Sequence, residues 1–193
     1  MSGRPINAIA IDVGEVLQRS VTSLYSSLVT RPTGRAVRMA IETQLHGAGT
    51  QSLSLIDFSE VVIIDFSCAD EVVAKLLQQF LDDDACDAFF VFRGVLEPHR
   101  DQIETVLERQ GLAAVIESEP GRFTLVGVRS DDEERVWREV ESRGTIEVNQ
   151  RPDVLPNPED EQALSSLVER GLVFTSPQSG HIYSLSQLVE HLM

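Results

Sequence analysis

A chain of 193 residues, 42% hydrophobic and only 6% aromatic, has the length for one full domain plus a small unit and the composition of an aliphatic α/β core. Its formal charge of −15, from 31 acidic against 16 basic residues, argues against nucleic-acid binding, which relies on Lys and Arg to neutralise phosphates, and suits a protein partner with a basic surface. No apolar run approaches the roughly 20 residues of a membrane span, and the start, MSGRPINAIAIDVG, lacks a signal-peptide layout, so the cytoplasm is the expected compartment.

Residues 6–13 (INAIAIDV) alternate into a first strand, whereas 14–30 carry neither a strand nor a helix period. In LVTRPTGRAVRMAIETQLHGAG, Thr30 or Thr33 caps a helix near Pro32, with Ala36, Val37, Ala40, Ile41 and Leu45 at helical spacing and Gly47 and Gly49 as the stop. LSLIDFS and VVIIDF flank Ser59-Glu60 as one short and one buried strand, or as a single bent one. From Ala69, the residues Val72, Val73, Leu76, Leu77, Phe80 and Leu81 form one apolar helical stripe. Asp82, Asp83 and Asp84 oppose a helix C-terminus and are expected just beyond it.

AFFVFRG is a strand, and LEPHRDQIETVLERQGL is a helix with Pro98 in its first turn and Gly111 at its end. AAVIES and RFTLVGV are two strands joined at Glu119-Pro120-Gly121, and DDEERVWREVESRG is an amphipathic helix. Alternating strands and helices predict a layered α/β domain over residues 1–148. VNQRPDVLPNPEDEQ, with three prolines, reads as a linker. A helix ending at Gly171, a β-hairpin around Pro177–Gly180 and a last short helix then form a C-terminal appendage over 149–193. This piece looks like the end of a winged-helix domain. Arg170 is its one basic residue after Arg151, so a docking appendage or homodimer element suits it better than a DNA reader.

Catalytic chemistry finds little support. His46, His99, His181 and His191 are scattered, and no HExxH, GxSxG or GxxxxGK[ST] motif occurs. Cys68 and Cys86 read as buried thiols. The acidic groups at 82–84 and 131–134 lack the EF-hand spacing and read as solvated helix ends. No cofactor, metal or catalytic residue is expected.

Attention therefore falls on DFSEVVIIDFSCADEVVAKLL, residues 57–77, where an apolar run ends at Asp65 and Ser67, Cys68, Asp70 and Glu71 precede a helix. In its plainest reading, Ser67 is the N-cap of a helix over 68–81, with Asp70 or Glu71 completing a capping arrangement.

Two blocks carry a family resemblance. LVTRPTGRAVRMAIETQL (28–45) looks like a Ser/Thr-Arg helix start, with Thr30, Arg31 and Arg35 as its key residues. SLIDFSEVVIIDFSCADEVVAKLL (54–77) looks like a strand, Asp-Phe, strand, Ser, small, Asp-Glu, helix pattern. Together they resemble the STAS domain family (the anti-sigma-factor-antagonist fold), and more closely its bacterial STAS-like subgroup. The resemblance implies a mixed β-sheet with helices packed on it and a non-catalytic regulatory role in bacterial signalling. It also implies a protein partner, a histidine-kinase-like ATPase or an anti-sigma factor, bound through Asp65, Cys68, Asp70 and Glu71. Ser67 takes the position of the phosphorylated serine, while Phe66 and Cys68 replace a serine and a glycine of the antagonist motif. Two other readings are a transcription-regulator subunit using the C-terminal segment and a small-molecule-binding α/β domain.

Overall fold

The computed structural model describes residues 6–20, 27–46, 51–81 and 87–193. Strand β1 (Asn7–Asp12) runs directly into helix α1 (Val13–Ser20). The stretch without a clear period is thus helical as far as residue 20, with Val13, Val16 and Leu17 buried. After β2 (Ser27–Leu28) comes α2 (Arg31–Leu45). Thr30, rather than Thr33, is its cap, because Thr30 Oγ1 accepts the Thr33 N–H at 3.3 Å. The expected stop at Gly47 and Gly49 lies outside the described residues, as do Asp82–Asp84 and Cys86.

β3 (Gln51–Asp57) and β4 (Ile63–Ile64) are separate strands. β3 is buried along its centre, whereas Val62 and Ile63 are exposed. The next helix begins earlier than the apolar stripe suggests: α3 (Phe66–Ala69), a π-helical segment (Asp70–Lys75) and α4 (Leu76–Leu81) follow without a break. β5 (Asp87–Arg93), α5 (Glu97–Gln110), β6 (Ala113–Glu119) and β7 (Arg122–Gly127) match their patterns, and Gly111 ends α5 in the left-handed region at φ 69°.

These strands build a mixed five-stranded sheet in the order β1-β3-β5-β6-β7. The first four run parallel and β7 is antiparallel. The crossovers put α1, α2, the α3–α4 stretch and α5 on one face, over a core that includes Leu17, Val37, Ile41, Val72, Leu76, Ile103 and Leu107. β2 and β4 form a separate parallel pair.

The opposite face is covered by the C-terminal part of the chain. There, α6 (Asp131–Arg143) starts in a capping box between Ser130 and Glu133, and β8 (Thr145–Ile146) follows. The stretch read as a linker is structured: α7 (Arg151–Val154) and α8 (Pro158–Glu169) occupy it, with Leu155 and Asp160 buried. The prolines mislead because Pro152 and Pro158 sit in first turns, where the missing N–H costs nothing. β9 (Phe174–Thr175), β10 (Ile182–Tyr183) and α9 (Leu185–Leu192) complete it.

β10 lies between β8 and β9, so residues 131–192 have the element order of a winged helix. The division at 148/149 falls inside this unit, because β8 pairs with β10 and Val136, Trp137 and Val140 share a core with Leu164, Leu167 and Leu188. That core closes against Leu53, Leu55, Phe89, Val91 and Val115 of the main sheet. Among the described residues, no helix is long and apolar enough to cross a membrane.

Candidate functional site

The turn at Asp65 is built by the β2–β4 pair and the start of α3. Asp65 N–H bonds to Leu28 C=O at 2.8 Å, which fixes the residue where β4 ends. Its carboxylate, and not Ser67, is the N-cap of α3: Asp65 Oδ1 accepts the Cys68 N–H and the Ser67 hydroxyl, each at 2.8 Å. A helix start leaves N–H groups without intrahelical partners, and an aspartate caps them as well as a serine does. Burial alone would raise Asp65, but the bonds from Cys68 and Ser67 hold its carboxyl below the usual range.

Behind the turn, α2 meets α3 at unusually close range. A Cβ on Gly34 would stand 2.9 Å from Cys68 Cα and 3.2 Å from both Cys68 Sγ and Glu71 Cβ. That approach lets the Cys68 thiol donate to Thr30 C=O at 3.0 Å. Burial, reinforced by the Asp65 charge, pushes the Cys68 thiol up to about 12, so it remains protonated and is no nucleophile at neutral pH.

One turn further, Asp70 and Glu71 enter the π-helical segment, a geometry that recurs at functional positions. Both are buried and held by a cationic cage. Arg31 donates to Asp70 Oδ2 at 2.6 Å and to Glu71 Oε1 at 2.8 Å. Arg38 reaches Glu71 Oε2 at 3.3 Å, Lys75 pairs with Glu71, and Gln110 donates to Asp70 Oδ1 at 3.2 Å. Burial opposes ionisation of Glu71, but Lys75, Arg31 and Arg38 outweigh it and hold its carboxyl below the usual range.

The structure therefore brings Thr30 and Arg31 of the first sequence block against Asp65, Ser67, Cys68, Asp70 and Glu71 of the second. Arg35 stands apart, exposed and without an ion pair among the described residues. Cys68, Asp70 and Glu71 face inward, so they position the helix instead of presenting a surface to a partner. Asp65 and Ser67 are half-buried and Arg31 is exposed. The pattern did not single out Arg38, Lys75, Gly34 or Gln110. Lys75 stood one helical turn after Glu71, a readable pairing; Gln110 is 40 residues from Asp70 and left no local signal.

Glu71→Gln tests the cage. At neutral pH the variant is expected to lose about 1–2 kcal/mol, because three cations lose a charged acceptor but Arg31 and Lys75 retain access to water. A carboxylate whose folded pKa is depressed stabilises the fold above its unfolded value, near 4.3, and loses that contribution as pH falls through the folded value. The gap between wild type and Glu71→Gln should therefore close below about pH 4.3. Chemical denaturation across pH measures it; a gap unchanged at low pH would mean the charge is not what matters.

Beside the turn lies an exposed apolar surface. Val62 is 66% and Ile63 52% exposed, and Val29 and Leu96 are open as well. Beneath them, His99 is buried and its Nε2 lies 3.2 Å from Val62 C=O. At the carboxyl ends of β3, β5 and β6, where open α/β sheets bind ligands, there is a cleft of about 280 Å³ lined by Ser59, Arg93 and Glu117. Arg93 and Glu117 pair with each other across it. No family model, curated protein or solved structure matches the chain.

Proposed function

We propose that the chain is a non-catalytic regulatory module that docks a partner protein on the face formed by the turn after Asp65 and the exposed strand β4, with Ser67 as its switch. The observation that carries this reading is the position of Ser67. Its half-buried hydroxyl lies at a helix start, bonded to the capping carboxylate, beside the exposed side chains of Val29, Val62, Ile63 and Leu96. Apolar residues grouped at a surface mark interaction sites. The resemblance to STAS-like regulators supports the same reading and suggests a histidine-kinase-like ATPase or anti-sigma factor as the partner.

A phosphate on Ser67 would add about −1.5 to −2 charges. The helix N-terminus favours it, but Asp65 Oδ1, 2.8 Å from the hydroxyl, repels it. The capping bond to Cys68 N–H and the orientation of the turn would change together, which converts modification into loss of docking. Co-expression with a kinase of the histidine-kinase-like ATPase fold, followed by intact-mass analysis, is expected to show one added phosphate in wild type and none in Ser67→Ala. Ser67→Asp should weaken partner binding at least about tenfold. A wild-type chain that is neither modified nor bound by such partners would overturn the reading.

The transcription-regulator reading has the element order of residues 131–192 in its favour. Against it, α8, which would have to approach nucleic acid, holds no Lys or Arg and exposes Glu159 and Glu169, charges that repel phosphate.

A further inference from the structure

The main sheet ends at β7, whose backbone is paired on one side only, by β6. Val128 N–H bonds to Leu112 C=O, and the antiparallel register pairs Val115 with Leu125 and Glu117 with Phe123. Hydrogen-bonded and non-bonded pairs alternate along such a ladder, so Phe123 and Leu125 turn their N–H and C=O groups away from β6. Arg129 takes the next outward carbonyl, that of Gly127, at 2.7 Å. Among the described residues, nothing bonds the outward groups of Phe123 and Leu125.

A groove of about 380 Å³ runs along this edge. Arg100 of α5 and Thr124 line one side; Phe123, Trp137, Arg138 and Glu141 line the other. Two of the lining residues each hold a buried oxygen, Thr124 Oγ1 and Glu141 Oε2, with no hydrogen-bond partner among the described residues. Arg129 and Arg138 share one acid, Glu134, and Arg100 forms no ion pair among the described residues. The groove thus carries a surplus of guanidinium groups in a chain whose net charge is −15. Burial also pushes the Glu141 carboxyl above its usual range; it and Glu134 are the two acids of the lining, against three arginines.

We propose that the β7 edge is a strand-addition site for an extended acidic segment of another protein, one that alternates apolar and acidic side chains. Main-chain bonds to Phe123 and Leu125 would hold the segment, as in other sheet-edge complexes. Successive side chains of a strand point to opposite faces. One set would meet the Phe123–Trp137 side and the other would meet Arg100 and Thr124, where an acid finds an unpaired cation. A second copy of this chain fits less well, because it would bring the same surplus of arginines to the contact. This site is distinct from the docking face at Asp65 and does not rest on that reading.

The test uses the full, ¹⁵N-labelled chain and a synthetic peptide of alternating valine and glutamate, about seven residues long to span β7. The amide resonances of Phe123 and Leu125 are expected to shift on titration and to exchange more slowly with solvent. Affinity should fall at least about tenfold when lysine replaces glutamate in the peptide, and likewise for the surface variant Arg100→Glu. Phe123→Pro, which removes an outward N–H and leaves the β6–β7 ladder intact, should abolish the shifts. Three results would overturn the proposal: no shift at β7 up to millimolar peptide, equal binding of the lysine peptide, or a dimer of the chain alone that Phe123→Pro dissociates.

Discussion

Ending the chain at residue 148 is expected to abolish the fold of the remainder. Leu53, Leu55, Phe89, Val91 and Val115 lie on the sheet face that the C-terminal unit covers, and truncation leaves that face partly bare. Lost with it are Leu155, Leu164, Leu167, Val173, Phe174, Leu185 and Leu188, all buried against that face or within its cover. A large apolar side chain fully buried contributes about 1.5–3 kcal/mol, so this set alone is comparable to the roughly 5–15 kcal/mol that holds a domain together. β8 would lose its partner β10, and Glu133 would lose Ser166 and Arg170, which bond its carboxylate at 2.7 and 2.9 Å. The shortened chain should aggregate on size exclusion and show no cooperative melt. The full chain should unfold in a single calorimetric transition. A soluble 1–148 fragment with its own sharp transition would show that the two faces of the sheet are independent.

Strand and helix periods gave the main layer directly, because β3, β5 and β6 are apolar runs and α2, α5 and α6 carry caps or stops that act locally. The C-terminal unit was harder to read for a physical reason: its strands are two residues long and have no period to detect. Its affiliation with α6 is decided by the core that Val136, Trp137 and Val140 share with residues beyond 160. The start of α3 differs from the expected one because an aspartate and a serine cap equally well, and only the bond that Asp65 Oδ1 accepts from the Cys68 N–H settles which does so here. The candidate site was legible as two charged blocks. That Asp70 and Glu71 turn inward follows from the approach of α2, which depends on Gly34 and has no signature within the second block.

Gly34→Val should be the most damaging single substitution near the site. By helix propensity alone it would be harmless, since glycine is the poorer helix former by several tenths of a kcal/mol. Packing reverses the sign. The new Cβ would meet Cys68 Cα at 2.9 Å, and a backbone atom cannot rotate aside as a side-chain end can; the two γ-methyl groups add to the overlap. Overpacking of this kind costs about 1–3 kcal/mol, occasionally more, and valine belongs at the upper end. A loss of about 3 kcal/mol corresponds to a fall in Tm of roughly 6–12 °C for a chain of this size. To relieve the overlap, α2 must move away from α3. That stretches the Cys68–Thr30 bond and withdraws Arg31 from Asp70 and Glu71. Gly34→Ala separates the two effects, because it adds the Cβ without the branches and gains helix propensity; its cost should be clearly smaller. Arg35→Ala, exposed on the same helix, should leave Tm unchanged. If Gly34→Val melts with wild type, α2 and the π-helical segment do not pack at this distance, and the cage around Glu71 cannot have the geometry given above.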